Sequence, residues 1–420
     1  MNTLSHFRRF VAIALLVPLG TAWAGEPGWA QAARLDVVRV DGEPIKAATL
    51  QSITLTEDES TASFRNEQGD TTMPLTRLVR WGHVASPQVP LLLLADGGRL
   101  AATETLQPLR IEEDQLRADT AMFGELAVPL EMLRGVALNL PVDPRRRRAL
   151  LESIQQGDQQ AGNISTDLLM LRNGDELAGT IIGWEDDAIE IVAAGRTSRI
   201  EVEQVAGVSF NPALTQKLDV SPRRVAVGFA DGTLILSQRL SADRNDLQLA
   251  SLLPSGLSVK LDKVIFLQPF GFGTVYLSEL EAAGYKHVPF LDLDWDYRRD
   301  ANVTGGPLVA GGGQYLKGLG MHSPARITYR LEGEFSRFQA SLAIDDSTDN
   351  RGSVICRVYI DDGSGAWKPV FTSNVIRGGQ SPTAVDVDMS GARQISLLVD
   401  HADRGDQLDH LNWLDARVVP

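Results

Sequence analysis

Apolar and polar residues alternate over short stretches along almost the whole chain, and Asp-Gly and Asn-Gly pairs punctuate those stretches. A period of two over four to eight residues predicts half-buried strands. Gly after Asp or Asn predicts tight hairpins, because these residue types tolerate positive φ. Before residue 270 the pattern recurs four times. The first unit holds VVRVDGEPI and MPLTRLVRW, and the second LLLLADGGRL and VPLEMLRGVAL. The third reads LLMLRNGDELAGTIIGW then IEVEQVAGVSF, and the fourth VAVGFADGTLIL then LSVKLDKVIFL. Their turn glycines, Gly42, Gly97, Gly174 and Gly232, stand 55, 77 and 58 residues apart by subtraction. The long middle interval carries the one convincing helical stretch, RRRRALLESIQQ after Pro144, so four small β units packed in pairs around a helix are expected.

The pattern changes after residue 270. Segments such as LDLDW, ARITYRL, FSRFQASLAI, SVICRVYID, WKPVFTS, AVDVDM, QISLLVD and LNWLDARVV are short and separated by Gly, Asp, Asn or Ser clusters. About eight of them in roughly 140 residues argue for a β-sandwich or jelly roll. The expected fold is therefore all-β: a C-terminal β-sandwich preceded by four small β-meander or small-barrel units with one linker helix. The expected boundaries are a signal peptide at 1–24, two units at 33–142, a helical linker at 143–163, two units at 164–270 and the sandwich at 271–420.

The first residues supply Arg8 and Arg9, an apolar run from Phe10 to Leu19 and Ala22-Trp23-Ala24, the arrangement of a cleaved secretory signal. The apolar run is about half of what spanning a bilayer requires. An exported, periplasmic or extracellular bacterial protein without a membrane span is expected. The single cysteine, Cys356, excludes an intrachain disulfide and reads as a small buried hydrophobe. Net charge is −14, or −16 once Arg8 and Arg9 are removed (−14 minus 2), which argues against nucleic acid as a partner. The basic run Arg145 to Arg148 reads as a solvated linker face.

Taken in order, QYLKGLGMHS (314–323), SLAIDDSTDNRGSVICRVYIDDG (341–363) and DHADRGDQLDHLNWLDARV (400–418) resemble the NPCBM family of carbohydrate-binding modules. The resemblance covers the last third of the chain. It implies a galactose-binding-like sandwich, a glycan partner with a lean toward galactose-containing glycans, and a place for His322 of KGLGMHS at or near the ligand end. The alternative for His322 is a residue that satisfies a backbone carbonyl and shapes the turn. The resemblance also brings in Asp409, followed by an aromatic at Trp413. Trp413 itself reads as core. The third N-terminal unit resembles the strand pattern of Sm-like small barrels, which often bind RNA, but charge and export oppose that function here.

Sugar recognition needs donors and acceptors for ring hydroxyls and an apolar surface for the C–H face. Asp345 and Asp346 stand side by side where a strand gives way to the loop STDNRGS, and Asp349 and Asn350 follow. They read either as part of the binding end or as a turn cap with a pair to Arg351. Asp345, Asp346 and Asp349 are also oxygen ligands of the kind calcium accepts, and calcium in related modules is what the resemblance implies. No other cofactor is expected. Asp400, His401, Asp403, Asp406, Asp409, His410 and Asn412 crowd one segment, with Asp409 and Asn412 taken as site candidates. Trp295 and Trp367 offer apolar surface, or close the sandwich edge. Paired carboxylates raise glycoside hydrolysis, but no barrel scaffold and no nucleophile motif accompanies them, and His83 and His287 stand apart from any acidic cluster. A non-catalytic, lectin-like protein is expected. The alternatives are an envelope protein whose N-terminal β units engage a protein partner, and an accessory subunit of a separate glycoside hydrolase.

Overall fold

A computed structural model describes residues 33–420 apart from 88–89, 104–108, 157–165, 186, 216–220, 244, 252, 254–255 and 290–292. The segment expected to be a signal peptide and part of the expected linker lie outside the described residues. No helix among the described residues is long and apolar enough to cross a membrane.

Each N-terminal repeat follows one plan: a short strand, a tight turn, a meander, one 3-10 turn and a short closing strand. In the third repeat these are Asp167–Leu171, Glu176–Glu185, Ala188–Ala193, Arg196–Glu201, the turn Val202–Gln204 and Val205–Ser209. The turns repeat in chemistry as well as position. Asp96, Asn173 and Asp231 each accept the N–H two residues on, from Gly98, Asp175 and Thr233, at 2.7–2.9 Å. The glycine between has φ of 94°, 96° and 90°, which only glycine adopts without strain.

The closing strand pairs back to the opening strand in every repeat, and it also pairs outward. Leu78–Gly82 of the first repeat meets Val264–Phe270 of the fourth, and Leu133–Ala137 of the second meets Val205–Ser209 of the third. The repeats are therefore nested, first with fourth and second with third, and Leu234 opposite Arg99 joins the two pairs. Pairing across repeat borders links 19 strands, while Leu109–Glu112, Gln115–Thr120 and Gly124–Pro129 form a sheet of their own. No repeat closes into a separate barrel among the described residues, so the meander form is the one the chain takes.

The helix Pro144–Gln156 lies across the joined strands of the second and third repeats. Gly135 and Gly207 make room for it. A Cβ at Gly207 would stand 2.8 Å from Ile154 Cδ1, and one at Gly135 would stand 1.9 Å from the Val208 carbonyl. Arg147 departs from the solvated face expected of its run: it is half-buried, and its Nε donates to Pro141 O at 3.0 Å.

Two antiparallel sheets form the C-terminal sandwich. One runs Arg298–Arg299, Gly318–His322, His410–Val419, Arg337–Ile344, Thr383–Asp388, and the other Ala282–His287, Ala325–Arg330, Gln394–His401, Ser353–Asp361, Lys368–Thr372. Alternation buries Met321, Phe338, Leu342, Trp413 and Val418 against Ile327, Tyr329, Val358 and Leu397. Cys356 is buried in the same core, and burial pushes its thiol well above the usual range.

The last strand carries a bulge. Register shifts between Gln339 and Ser341, and Asp415 sits opposite the shift with φ 48°. Leu411 and Trp413 point inward before the bulge and Ala416 and Val418 after it, so one extra residue keeps both ends in the core. Leu414 turns outward, under the hairpin of Leu308–Ala310 and Gly313–Tyr315. The carboxylate of Asp415 is aimed at the N-terminal repeats. There Arg80 Nε donates to Asp415 Oδ2 at 2.8 Å, with both side chains under 10% exposed. Arg80 also lies 4.6 Å over the Tyr315 ring, and Gln339 Nε2 reaches Val40 O at 2.8 Å.

Candidate functional site

Of the strands that begin or end in histidine at one end of the sandwich, three bring their rings together. His287 ends Ala282–His287, His322 ends Gly318–His322, and His410 opens the last strand directly opposite His322 in register. Trp295 folds back over them. Its N–H donates to His287 Nδ1 at 3.3 Å and its carbonyl accepts from Tyr285 Oη at 2.6 Å. The indole lies parallel to the His322 ring, with centroids 4.8 Å apart and 3° between planes. His287 meets His322 edge-on at 5.7 Å, and His410 stands 5.6 Å from both Trp295 and His322. The result is an aromatic shelf of four rings in which Trp295 is half-buried and His322 buried.

His322 is held in one tautomer. Its Nδ1 lies 2.7 Å from Ser323 O, and since a carbonyl only accepts, Nδ1 carries the proton. In the neutral ring Nε2 is then an acceptor, the complement of a sugar hydroxyl. Burial pushes this imidazole below its ordinary range, against the opposing pull of the Ser323 carbonyl and Asp406, so the ring is neutral at neutral pH. Both roles expected for His322, turn-shaping partner and ligand-end residue, are compatible with this geometry.

Asp409 lies beside that turn. It is fully buried, accepts from Ser323 Oγ at 2.6 Å and Ser353 N at 2.8 Å, and ties the His322 turn to the start of Ser353–Asp361. Burial raises its carboxyl to about 6; the two donors oppose the rise and Asp406 adds to it. His322 and Asp409 thus share one end of the sandwich through Ser323.

The other candidates lie elsewhere, and two of them, Asp345 and Asn412, are buried. Asp345 is 1% exposed, and its oxygens accept from Asn302 Nδ2, Val309 N, Asn412 Nδ2, Ser347 N and Ser347 Oγ. Five donors fill the roughly four lone-pair sites of a carboxylate, so internal bonds engage both oxygens of Asp345. Asn412, also fully buried, is one of those donors and is internal. Asp346 accepts from Gly311 N at 3.2 Å and Gly312 N at 2.8 Å, capping the glycine-rich hairpin. Asp349 stands exposed 3.6 Å from Arg351. Asp345 and Asp346 thus engage different partners and Asp349 faces Arg351, and no group of three or more His, Cys, Asp or Glu that could hold a metal occurs among the described residues.

Two further acids of the final segment are paired, Asp400 with Arg357 at 3.1 Å and Asp403 with Arg377 at 2.6 Å. Trp413 is core, against Phe338, while Trp367 is 40% exposed and outside the aromatic shelf. Sequence reasoning missed His287 and His410 as members of the shelf. His287, read as remote from acids, has Nδ1 3.5 Å from Asp294. The usable signal was position, since each of these histidines falls at a strand end.

Several known proteins are similar to part of the chain. A protein of Renibacterium salmoninarum named "Putative endo-alpha-N-acetylgalactosaminidase" is 31% identical over 119 residues, 28% of this chain and 8% of that protein's length. The structure of CBM51 from Clostridium perfringens GH95 in complex with methyl-galactose aligns at 27% identity over 35% of this chain and 99% of that one, with a TM-score of 0.31. The tandem CBM51 modules of Sp3GH98, the family 98 glycoside hydrolase from Streptococcus pneumoniae SP3-BS71, align at 16% identity over 63% of this chain and 90% of that one, TM-score 0.30. Residues 273–419 match the NPCBM/NEW2 domain, and the C-terminal sandwich is therefore a domain of that family.

Proposed function

We infer that this protein binds a glycan at the shelf end of its C-terminal sandwich, without catalysing its cleavage. The observation that carries the reading is the half-buried Trp295 ring lying on a His322 whose tautomer is fixed. An aromatic face takes the apolar side of a sugar ring, and Nε2 of His322 accepts from a ring hydroxyl at its edge. Galactose-containing glycans are the ligand class we favour, in line with the methyl-galactose bound by the Clostridium perfringens module. Export, from the N-terminal segment, would put the shelf where such glycans are found, either alone or as the accessory subunit of a separate hydrolase.

The test is glycan-array binding by the full chain beside His322→Ala and Trp295→Ala, with and without calcium. Specific binding to galactose-terminated glycans, reduced at least about tenfold in either variant, is the expected result. Loss of binding on calcium removal would assign a cation to the binding end. A folded parent protein that binds nothing on the array would transfer the function to protein partners of the N-terminal repeats.

A further inference from the structure

A groove of about 300 Å³ runs over the outer face of the second sheet, lined by Lys286, Val288, Pro324, Arg326, Leu398 and Asp400. His287 and Ala325 turn into the sandwich, so alternation turns their neighbours Lys286 and Arg326 out, where both are exposed. The groove begins where the shelf ends. Val288 follows His287 and Pro324 follows the His322-Ser323 turn, and Val288 N donates to Pro324 O at 3.0 Å. This pair extends the ladder one step past His287 and Ala325 and forms a lip common to shelf and groove.

One row across four strands carries three cations. Lys286 stands opposite Arg326, Arg326 opposite Leu398, and Leu398 opposite Arg357. Like charges directly opposite on neighbouring strands oppose pairing, and here they occur in a chain with a net charge of −14. Asp400, the carboxylate of the lining, does not offset them. It is taken by Arg357 at 3.1 Å and lies 3.4 Å from His401 Nδ1. Neither Lys286 nor Arg326 has an ion-pair partner among the described residues, and both head groups are open to a ligand.

We propose that the groove is a second subsite for the shelf glycan and that this glycan is acidic, with a carboxylate or sulfate next to the shelf sugar held between Lys286 and Arg326. The proposal rests on the glycan reading of the shelf. Ammonium and guanidinium hold either anion by charge-assisted hydrogen bonds, while Val288, Pro324 and Leu398 take the apolar side of the same sugar. An acidic protein segment would meet the same charges, but the continuity of groove and shelf favours one chain of sugars lying across both.

The test is isothermal titration of the full chain with lactose, sialyllactose, sulfated lactose and a glutamate-rich peptide, repeated on Lys286→Gln, Arg326→Gln and the double variant. At least one acidic sugar should bind about tenfold tighter than lactose and fall to the lactose level in the double variant, with lactose itself unchanged. Raising salt from about 0.05 to 0.5 M should weaken the acidic sugars alone. A preference for sialyllactose assigns a carboxylate to the groove, and one for sulfated lactose a sulfate. Lactose bound as tightly as both acidic sugars overturns the proposal and leaves the shelf reading standing, as does an acidic preference that survives in the double variant. Binding of none of the sugars removes the shelf reading and the proposal together. Peptide binding as tight as that of the acidic sugars also overturns it, and gives the face to an acidic protein partner.

Discussion

At the scale of the residue, two titrating groups at the shelf end make opposite demands on pH. Protonating His322 converts Nε2 from acceptor to donor, so glycan affinity should fall as pH drops below the ordinary imidazole range and stay level above it. A titration of affinity from pH 8 to 5 measures this, and His322→Gln should flatten the curve. Asp409 acts on stability instead. Burial raises its folded carboxyl to about 6 against an ordinary 3.8 in the unfolded chain, so the fold favours the protonated form. That contribution is full below the unfolded value and is lost as pH rises through about 6, with a slope of at most about 1.4 kcal/mol per pH unit. Asp409→Asn keeps an acceptor for Ser353 N and removes the charge. Its melting temperature relative to the parent should therefore climb between pH 4 and 6 and level off above. Of this candidate site, the KGLGMHS histidine, Asp409 and Trp295 were legible as candidates, because motif and residue type carry those. It could not show that Asp345 and Asn412 face each other inside, since an Asp-Asp pair at a loop start reads alike whether its oxygens meet water or five buried donors.

At the scale of the element, Asp345 fastens the 302–309 loop to the last strand and to the turn at 345–348. Asp345→Ala would strand Asn302, Asn412 and two backbone N–H groups together. The expected loss is at least about 3 kcal/mol by urea denaturation, counting each orphaned donor at 1–3 kcal/mol and allowing for partial rehydration. Strands and hairpins were the most legible part of the chain, because alternation and the Asp-Gly and Asn-Gly turns are local. Which strands pair across repeats was not, because the closing strands of all four repeats are equally apolar and nothing in their composition selects first with fourth. The bulge at Asp415 was hidden for a related reason: in LNWLDARVV a one-residue shift in facing is invisible until the partner strand is known.

At the scale of the whole molecule, the repeats and the sandwich share a buried polar junction centred on Arg80 and Asp415. Arg80→Met leaves Asp415 without its ion-pair partner and should cost about 3–5 kcal/mol, whereas Arg80→Met with Asp415→Asn should recover much of it. Chemical denaturation of the four members of that cycle gives the coupling directly. The bulge sets a further condition, on the order in which the molecule can be made. The strand His410–Val419 is central in its sheet and also presents the carboxylate that Arg80 requires. During synthesis Arg80 emerges more than three hundred residues before that carboxylate, so the junction side of the repeats must wait with an unmatched guanidinium until residue 415 is free of the ribosome. Sandwich and junction are then completed by one strand insertion, and a chain halted before His410 would finish neither.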